Sequence, residues 1–530
     1  MSKQAYLICL KNPFELKPFL LLKEAEGVYV FRDIQYLLSY EEIFSYGFSD
    51  LVNSFREKEC KKLPEVIDLE TAKKLIVGKQ KDDFKSGEEP WVLGNIIGRY
   101  VTPKSLIALN NFLQLKMKAS ELEVVLKEVA SDLMNGFKKS WTDLNVELVL
   151  NAEYLRFYEI ENPIYNLFLK SQLNGIFVSK IKLRGKLDEL KNLWYSHLKI
   201  LELEYNFIGQ KVNYEMSWET VSGYCSDKNL KDDLEYDFWK YAEIYSEYNR
   251  FLCSLVTVHN AATDYNALVR YSIDTNEKIY PQFDIMGTIT GRILVTTPGI
   301  QYLKKTSRSI FEPKNGHVFL YADFDQFEPG IVASFSQDPQ LLGAYNTGDV
   351  YCQLSLLLFN NIENRKLAKK IFLAFIYGMT KEKLVKFIAY IAGAEASLKG
   401  LRFFDEFKVL LEWKERVSSK AKIDGYSSSY YGNRRYIESK GALSNKEKRW
   451  VPNQIIQGTA SYIFKKSLLE LNKRSAKVNF LIPMHDAILV EVSSEDENEI
   501  KALINHIFNS VFREICPGIK TNISFEKCVI

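Results

Sequence analysis

The fold is decided by residues 316–338, GHVFLYADFDQFEPGIVASFSQD. Within this stretch, the apolar run Val318–Ala322 predicts a buried strand that ends at Asp323. Asp325 and Glu328 follow in a turn that leads towards a helix. Taken alone, Asp323 could be an ordinary solvated residue at a strand end. The stretch therefore indicates a functional site only if a second carboxylate meets it from elsewhere in the chain.

The second carboxylate lies in residues 478–492, VNFLIPMHDAILVEV, where two apolar runs flank Met484, His485 and Asp486. This pattern predicts a β-hairpin with Asp486 at its tip. Asp323 and Asp486 would then lie at adjacent strand ends. Carboxylate oxygens suit hard divalent cations, and a pair of Mg²⁺ ions can hold the attacking and leaving oxygens of a phosphoryl transfer. The sequence therefore predicts a two-magnesium site for phosphoryl transfer.

A helix between these two strands carries a graded stripe of side chains. Arg365, Lys369, Leu373 and Tyr377 recur every four residues, so a helix places them along one face, and Gly378 marks its end. The two cations suit a triphosphate, while the aliphatic and aromatic side chains suit a sugar and a base. The alternative is a solvated basic face that runs into core residues. We favour a nucleotide-binding helix.

These segments resemble three motifs of the family A DNA polymerases, the DNA polymerase I type. Residues 322–328, ADFDQFE, look like the family's motif A, residues 365–378 look like motif B, and residues 484–486, MHD, look like motif C. The sequence departs from the family at Leu373, where an aromatic residue is usual, and at Ala487, where a glutamate is usual.

The resemblance implies roles for the residues of these motifs. Asp323 and Asp486 would be the catalytic residues. Together with the main-chain carbonyl of Phe324 they would be the ligands of two Mg²⁺ ions, for which Mn²⁺ can substitute. Glu328 would block the ribose 2′-hydroxyl and so favour dNTPs. The residues implied in nucleotide binding are Arg365, Lys369, Leu373, Tyr377, Glu328 and Gln326.

Other segments resemble the parts of the family that contact primer-template DNA. Residues 288–292, TITGR, and 298–301, PGIQ, resemble segments near the growing primer end, although Gly299 replaces the usual asparagine. Residues 425–435 resemble a basic turn close to the template, and residues 448–458 resemble a segment that lines the primer-template groove. The residues implied in DNA binding are Arg292, Gln301, Arg434, Arg435, Arg449, Asn453, Gln457 and His485.

The resemblance extends over residues 156–530 and implies an α+β fold of the right-hand polymerase type. Ahead of it, residues 1–155 alternate β-like and helical segments, which predicts a separate α/β domain that we interpret as exonuclease-like. The implied parts of the polymerase domain are a thumb at about 180–275, a palm at about 280–345 and 425–530, and fingers at about 350–424.

The N-terminal region lacks the acidic pattern of an active 3′–5′ exonuclease. Exonuclease domains of the family carry a D-x-E on their first strand, but the run Tyr6–Leu10 contains no acid. The D-x-E at residues 68–70 comes late and reads as a solvated helix start. Asp132 and Asp143, the later candidates, have no tyrosine four residues before them. We therefore predict a degenerate exonuclease-like domain and an enzyme without proofreading.

Composition places the chain among ordinary globular proteins. Its 530 residues are 46% hydrophobic, and a formal net charge of +3 neither favours nor excludes a nucleic acid partner. The seven cysteines show no CxxC spacing, and no apolar run suits a membrane span or a signal peptide. We expect a monomer without membrane contact, in the cytoplasm of a bacterial, phage or plasmid setting or in an organelle, and not secreted.

Two alternatives compete with a template-directed DNA polymerase that adds dNTPs to a primer 3′-hydroxyl. A single-subunit RNA polymerase shares the metal carboxylates and the R-x-x-x-K helix, but Glu328 favours dNTPs. A catalytically silent DNA-binding relative is the other alternative, and the presence of both Asp323 and Asp486 argues against it. The choice between replication and repair, the processivity and any accessory protein stay open at this point.

Overall fold

A computed structural model of the chain describes residues 4–10, 19–24, 27–60, 62–79, 81–113, 119–207, 249–269, 278–303 and 305–527, together with 242, 246 and 271. The chain divides into two compact units. The first comprises residues 1–173, 283–294 and 320–525, and the second comprises residues 174–282, 295–319 and 526–530. Among the described residues, no helix is both long enough and apolar enough to cross a membrane.

The N-terminal part of the first unit is built on a five-stranded mixed sheet. Strand β1 pairs antiparallel with β2 and parallel with β4, and β4 pairs parallel with β5. The predicted alternation of β-like and helical segments is confirmed in this region, and the run Tyr6–Leu10 lies in β1. The strands, in the sheet order β3-β2-β1-β4-β5, are β1 (Gln4–Leu10), β2 (Phe19–Lys23), β3 (Val28–Phe31), β4 (Glu42–Tyr46) and β5 (Glu65–Asp68).

A long helix, α5, packs its apolar side chains on this sheet. The Trp141 ring lies 5.3 Å from the Phe44 ring, and the Phe137 ring lies 6.4 Å from the Tyr6 ring. The predicted domain boundary near residue 155 falls within a series of helices, and it stays a prediction. The helices of this part are α1 (Val52–Glu57), α2 (Leu69–Val77), α3 (Leu93–Ile97), α4 (Pro103–Leu113), α5 (Ala119–Leu150), α6 (Tyr154–Arg156) and α7 (Asn162–Asn174), with a π-helical turn at Phe157–Glu161.

Asp68 ends β5 and caps helix α2, as the sequence predicts, but it is not solvated. Its carboxylate accepts a hydrogen bond of 2.8 Å from the Thr71 N–H, while the residue is only 4% exposed. Burial and then the charge of Glu70 raise the pKa of Asp68 to about 7. The expectation of a solvated helix start is wrong because helix α7 covers this corner, where the Asn162 side-chain oxygen accepts from the Asp68 N–H at 3.1 Å.

The second unit contains two long helices that pack along each other, α8 (Lys180–Tyr205) and α9 (Arg250–Val269). Nδ1 of His197 on α8 lies 3.2 Å from the Ser254 hydroxyl on α9. Strand β6 (Ile176–Val178) pairs antiparallel with β7 (Lys278–Ile279) and with β10 (Phe311–Glu312), and β8 (Gln282–Asp284) pairs with β9 (Leu294–Thr297). Of the predicted thumb, residues 208–241, 243–245, 247–248, 270 and 272–277 lie outside the described residues.

A four-stranded sheet carries the two carboxylates singled out in the sequence. Residues 485 and 486 form the turn between β14 and β15, so the predicted hairpin is confirmed. β15 lies next to β11 in this sheet, which makes the Asp323 strand and the Asp486 hairpin neighbours. The strands, in the order β14-β15-β11-β16, are β14 (Asn479–Met484), β15 (Ala487–Ser493), β11 (His317–Phe324) and β16 (Ile523–Lys527).

A run of helices separates β11 from the hairpin in the chain. The helix predicted over 365–377 begins at Arg365 and ends at Ile376, with Tyr377 as its C-terminal cap. The remaining elements are α10 (Phe327–Ser336), α11 (Pro339–Thr347), α12 (Val350–Phe359), α13 (Arg365–Ile376), α14 (Lys381–Ala392), α15 (Ala394–Asp405), α16 (Lys408–Asp424), β12 (Tyr426–Ser429), β13 (Gly432–Tyr436), α17 (Asn445–Arg474) and α18 (Glu497–Ile515).

A buried ion network joins four segments of the first unit that are distant in sequence. Glu161, at the end of the π-helical turn, is fully buried and pairs with Arg156 at 2.8 Å and with Lys465 of α17 at 2.5 Å. Burial would raise the pKa of Glu161, but the charges of Lys465 and Arg156 outweigh burial and hold that pKa below its usual range. Lys465 also donates to the Ile285 carbonyl at 2.9 Å, and Arg156 donates to the Tyr431 carbonyl at 2.7 Å.

Removing the charge of Glu161 is expected to destabilise the first unit strongly. Glu161→Gln leaves two buried cations without their counter-charge, which typically costs about 3–5 kcal/mol. The matched control is Glu470→Gln on α17, which breaks a half-exposed pair with Lys473 and is expected to cost less than about 1 kcal/mol. Urea unfolding followed by circular dichroism measures the stability of both variants and of the wild type. Equal unfolding midpoints for wild type and Glu161→Gln would contradict this prediction.

Candidate active site

Strand β11 presents Asp323 on the face opposite its buried side chains. Leu320, Ala322 and Phe324 are buried, whereas the residues that alternate with them are partly exposed, so only one face of the strand is covered. The Phe324 ring stacks on Phe327 with 4.2 Å between ring centroids. This packing fixes the strand end and turns Asp323 away from the core.

Asp486 is brought to the same edge of the sheet by the hairpin turn. His485, the residue before it, has a φ of +57°, a left-handed conformation that allows the tight connection between β14 and β15. The guanidinium of Arg292 lies 3.5 Å from the Asp486 carboxylate and 2.6 Å from the Glu328 carboxylate. Because Glu328 lies in the first turn of α10, directly after the Asp323 strand, this contact joins the turn and the strand end.

The acidic groups at this edge suit a hard cation. Among the described residues, no set of three or more His, Cys, Asp or Glu side chains could hold a metal ion. Asp323 and Asp486 are carboxylates, the donor type that Mg²⁺ takes singly or in pairs while water or phosphate oxygens fill its other positions. The donor type at this edge of the sheet therefore fits the predicted magnesium ions, whose binding stays a prediction.

Glu328 is a carboxyl group of the site with a strongly shifted pKa. It is 6% exposed, and burial and then the charge of Asp486 raise its pKa to about 7. Arg292 opposes this shift by a direct hydrogen bond to the Glu328 carboxylate. The sequence did not predict this pair, because Arg292 and Glu328 are 36 residues apart and only the fold brings them together.

The four residues predicted to bind the nucleotide lie on helix α13 and at its C-terminal cap, and their binding role stays a prediction. Arg365 donates from Nε to the Asp349 carboxylate at 2.8 Å, and its guanidinium lies 5.3 Å from the Tyr351 ring centroid. The Lys369 ammonium lies 5.8 Å from the same ring. The ring of Tyr351 thus contacts both cations and keeps Arg365 and Lys369 close to each other.

The C-terminal end of α13 is tied to helix α17. The Tyr377 N–H donates to the Leu373 carbonyl at 2.9 Å, and the Asn453 side chain donates to the Tyr377 carbonyl at 3.3 Å. Arg449 approaches Gly378 closely. A Cβ atom added to Gly378, which has a φ of +85°, would lie only 3.2 Å from the Arg449 side chain. The stripe residues Leu373 and Tyr377 and the predicted DNA-binding residues Arg449 and Asn453 therefore meet at one end of the helix.

Asp349 and Tyr351 are site residues that the sequence reasoning missed. Asp349 caps helix α12 by accepting from the N–H groups of Tyr351 and Cys352, and it also accepts from Arg365. An aspartate after a glycine and before an apolar run is a signal for a helix start. The signal shows where α12 begins, but it does not reveal the partner of the capping carboxylate.

Gln326 connects strand β11 to this group. Its φ is +48°, and its side-chain oxygen accepts from the Val350 N–H at 2.8 Å. It lines a cleft of about 710 Å³ together with Asp349, Arg365 and Lys520. The cleft is large enough for a small-molecule ligand.

Two of the predicted DNA-binding arginines stack on aromatic rings. The Arg434 guanidinium lies 4.3 Å from the Tyr426 ring centroid, and the Arg435 guanidinium lies 4.2 Å from the Trp450 ring centroid. Such stacks hold a flat cation in place at a surface.

The remaining predicted DNA contacts are divided between the units. Arg449, Asn453 and Gln457 recur every four residues on α17, and His485 is exposed at the hairpin turn. Gln301 belongs to the second unit and is 8% exposed, with its side-chain oxygen accepting from the Val295 N–H at 3.0 Å. In this conformation Gln301 supports the backbone of its own unit, and its DNA contact stays a prediction.

Comparison with known proteins gives a match over most of the chain. Residues 205–524 match the family model described as DNA polymerase family A. The DNA polymerase I of Borreliella burgdorferi is 27% identical over 404 residues, which cover 70% of this chain and 43% of that protein. The DNA polymerase I of Aquifex aeolicus is 30% identical over 246 residues, which cover 43% of this chain and 42% of that protein. The chain thus spans less than half of the length of these relatives.

A solved structure resembles the whole chain. It is the POL domain of Pol1 from M. smegmatis in complex with DNA primer-template and dNTP, and it matches with a TM-score of 0.76 at 18% sequence identity. The match covers 99% of this chain and 96% of that one. It confirms the predicted α+β fold of the polymerase type, while the exonuclease-like assignment of residues 1–155 stays a prediction.

The raised pKa of Glu328 predicts a pH dependence of stability. A carboxyl group with a folded pKa of about 7 stabilises the fold while it is protonated, and this contribution is lost as the pH rises towards and through 7. The free energy of unfolding of the wild type should therefore fall between pH 5 and pH 8 relative to that of Glu328→Gln. For a pKa shift of this size, the fall is up to ~3 kcal/mol. Urea unfolding of both proteins at pH 5 and pH 8, without divalent cations, tests this prediction. The same difference in free energy of unfolding between wild type and Glu328→Gln at both pH values would contradict it.

Proposed function

We propose that this chain, which belongs to DNA polymerase family A, is a template-directed DNA polymerase that adds dNTPs to the 3′-hydroxyl of a primer. The observation that carries the proposal is the meeting of the Asp323 strand and the Asp486 hairpin in one sheet, with Arg292 in contact with Asp486 and Glu328. The DNA polymerase I relatives, of which this chain spans less than half, support the same proposal.

Asp323, Asp486 and the main-chain carbonyl of Phe324 would hold two Mg²⁺ ions. When bound, such ions acidify the primer 3′-hydroxyl and neutralise charge on the pyrophosphate leaving group. The Phe324 ring is stacked on Phe327 and on Phe508, so the strand end is rigid where the donors must keep their spacing. Rigid donors favour catalysis because they need little reorganisation during the reaction.

The residues of helix α13 would bind and orient the incoming nucleotide. Arg365 and Lys369 would bind its phosphates, and the Asp349 and Tyr351 side chains would hold the two cations in position before the nucleotide arrives. Leu373 would contact the sugar and Tyr377 the new base pair. Base pairing with the template then selects the nucleotide, so the protein supplies position and charge.

Glu328 would select deoxyribonucleotides by occupying the space of a 2′-hydroxyl. Its burial and its hydrogen bond to Arg292 limit the positions of its side chain, as a steric gate requires. This feature disfavours the alternative of an RNA polymerase. The alternative of a catalytically silent relative is disfavoured by the presence of both metal-binding carboxylates.

Loss of either aspartate should abolish primer extension and spare DNA binding. Asp323→Ala and Asp486→Ala each remove a metal ligand, whereas affinity for primer-template depends mainly on cations that contact phosphates. Gel-based primer extension and fluorescence anisotropy measure the two properties, with Asp496→Asn as a control carboxylate beyond the end of β15. A variant that keeps more than a tenth of the wild-type rate, a loss of only ~1.4 kcal/mol in the barrier, would refute the ligand assignment.

Shortening Glu328 should admit ribonucleotides. Glu328→Ala removes the side chain that would clash with a 2′-hydroxyl, so the preference for dNTP over rNTP should fall by at least about tenfold, or ~1.4 kcal/mol. Single-nucleotide insertion kinetics give the ratio of kcat/KM for the two substrates. An unchanged ratio in Glu328→Ala would mean that another residue sets sugar selectivity.

The N-terminal region is proposed to lack proofreading activity. Strand β1 carries no acid, and the buried Asp68 serves as a helix cap. Glu70 pairs with Lys74, which also pairs with Asp284 at 2.8 Å. These contacts give Asp68 and Glu70, the D-x-E nearest to the sheet, structural roles.

A primer with a mismatched 3′ end should stay intact when the chain is incubated with Mg²⁺ and without dNTPs. The physical reason is that a two-metal nuclease needs several carboxylates that converge on both ions. Denaturing gel electrophoresis of a labelled primer measures shortening. Shortening that survives Asp323→Ala and disappears in Asp68→Ala would show an active nuclease and contradict the proposal.

A further inference from the structure

One lysine of helix α16 directs its ammonium to the end of helix α13. Lys414 donates from Nζ to the Phe375 carbonyl at 3.1 Å, and its ammonium lies 4.9 Å from the Phe375 ring centroid. Glu415 and Arg416, which follow it on α16, are exposed, whereas Lys414 is only partly exposed. A lysine that merely covers apolar surface extends its ammonium to water. Lys414 instead binds the main chain of another helix.

The Phe375 carbonyl belongs to the last turn of α13, where a cation is favourable. The carbonyl groups of a last helical turn carry a partial negative charge. Residues 373–376, which form this turn, are all apolar. The Phe375 carbonyl also accepts from the Gly378 N–H at 3.1 Å, and the Phe375 ring packs on Phe404 with 4.4 Å between ring centroids. Lys414 therefore brings a positive charge to this end of α13 from a neighbouring helix.

The charged and titratable side chains of the elements that pack on α16 have other partners. In the described part of the chain no carboxylate pairs with Lys414, and burial lowers the pKa of its ammonium to about 8. The neighbouring groups and their partners include Glu328 of α10 with Arg292, Asp338 with the Leu410 N–H, Tyr426 of β12 with Arg434, Glu447 of α17 with Ser439, and Arg449 of α17 with the Asn445 carbonyl.

The charge of Lys414 lowers the stability of the fold. An ammonium whose pKa is lower in the folded than in the unfolded state destabilises the fold while it is protonated, and this cost disappears as the pH rises through 8. At pH 7 Lys414 is mostly protonated, so an apolar side chain of similar length would be more favourable for stability alone. A residue that lowers stability in this way is typical of a functional role.

The turn that Lys414 contacts leads directly into the candidate site. Tyr377 caps α13, and Gly378 follows with a φ of +85°. Asn453 of α17 donates to the Tyr377 carbonyl at 3.3 Å. The end of α13 is thus bound by α16 through Lys414 and by α17 through Asn453. Because the Lys414 contact is to a main-chain atom, it can set the position of Tyr377 without any contact to a substrate.

From this geometry we propose that Lys414 is a positioning residue for nucleotide binding: its ammonium fixes the C-terminal turn of α13 and thereby places Leu373 and Tyr377 for the incoming nucleotide. The inference rests on the proposed function and adds to it a residue that belongs to none of the sequence motifs. Because the contact depends on a positive charge, the affinity for the nucleotide follows the protonation of Lys414.

Equilibrium binding of a nucleotide to the full chain tests the proposal without any chemical step. A primer that ends in a dideoxynucleotide cannot be extended, so calorimetric titration of its primer-template complex with the correct dNTP and Mg²⁺ gives the Kd of that dNTP. Lys414→Met keeps an unbranched side chain of similar length but removes the charge. We expect it to raise the Kd at pH 7 by at least about fivefold, part of what one hydrogen bond to a charged group contributes. The control is Lys420→Met, which breaks a pair with Asp424 on the exposed side of α16 and should leave the Kd unchanged.

The pH dependence of the Kd separates the charge of Lys414 from its shape. Between pH 7 and pH 9 most of the Lys414 ammonium loses its proton, so the wild-type Kd should rise towards that of Lys414→Met. Lys414→Arg stays protonated at both pH values and should keep the affinity that it has at pH 7. A wild-type Kd that rises no more than the Kd of Lys414→Arg would overturn the proposal.

Thermal unfolding and primer extension distinguish the remaining outcomes. Lys414→Met should melt no earlier than wild type at pH 7, because it removes a buried charge. Equal Kd values for wild type and Lys414→Met would overturn the proposal, and so would a weak Lys414→Met that melts early and is not restored by Lys414→Arg. Dependence of the Kd on Lys414 without extension of a normal primer refutes only the polymerase activity, whereas extension with equal Kd values refutes only the role of Lys414. Absence of dNTP binding by wild type refutes both.

Discussion

The structure of the first unit depends on the buried network of Arg156, Glu161 and Lys465. Two cations and one carboxylate in a fully buried place are tolerated only because each makes several hydrogen bonds. The network draws together the π-helical turn, the hairpin β12–β13, the segment before Arg292 and helix α17. These are the elements that carry Arg292, Arg434, Arg435, Arg449 and Asn453. The positions of the side chains predicted to contact DNA thus depend on one electrostatic requirement in the core.

A second electrostatic balance sets the properties of the site itself. Asp486 is a proposed ligand of a cation, yet it also raises the pKa of Glu328, and Arg292 interacts with both carboxylates. A cation at the aspartates would add positive charge and favour the ionised form of Glu328. Arg292, which the resemblance assigns to primer-template DNA, therefore connects a predicted DNA contact with the proposed sugar gate and with a proposed metal-binding carboxylate. A change in charge at any one of these groups is therefore expected to affect the others.

Local patterns in the sequence predicted the parts of the site that lie within single elements. The apolar run before Asp323, the apolar runs around Asp486 and the four-residue spacing on α13 each follow from one strand or helix, and the structure contains these elements, although only one face of β11 is buried. Contacts between elements were not predictable in this way. Tertiary packing produces the pairs Arg292–Glu328 and Arg365–Asp349 and the burial of Asp68 beneath α7. No periodic pattern in the sequence predicts such contacts.

The close approach of the N-terminal region to the hairpin β12–β13 has a consequence for the conformational freedom of its two strands. A Cβ at Gly78 would lie 2.3 Å from the Arg434 carbonyl oxygen, and the Glu153 carboxylate accepts from the Arg434 N–H at 3.3 Å. Tyr436 is held in the same way through its hydroxyl, which donates to Asn151. A two-stranded hairpin is marginally stable alone, so these contacts restrict its conformational entropy before any ligand arrives. A shortened chain that begins after residue 155 would have to order this hairpin at the moment of binding, and would bind more weakly for that reason even with every predicted DNA contact intact.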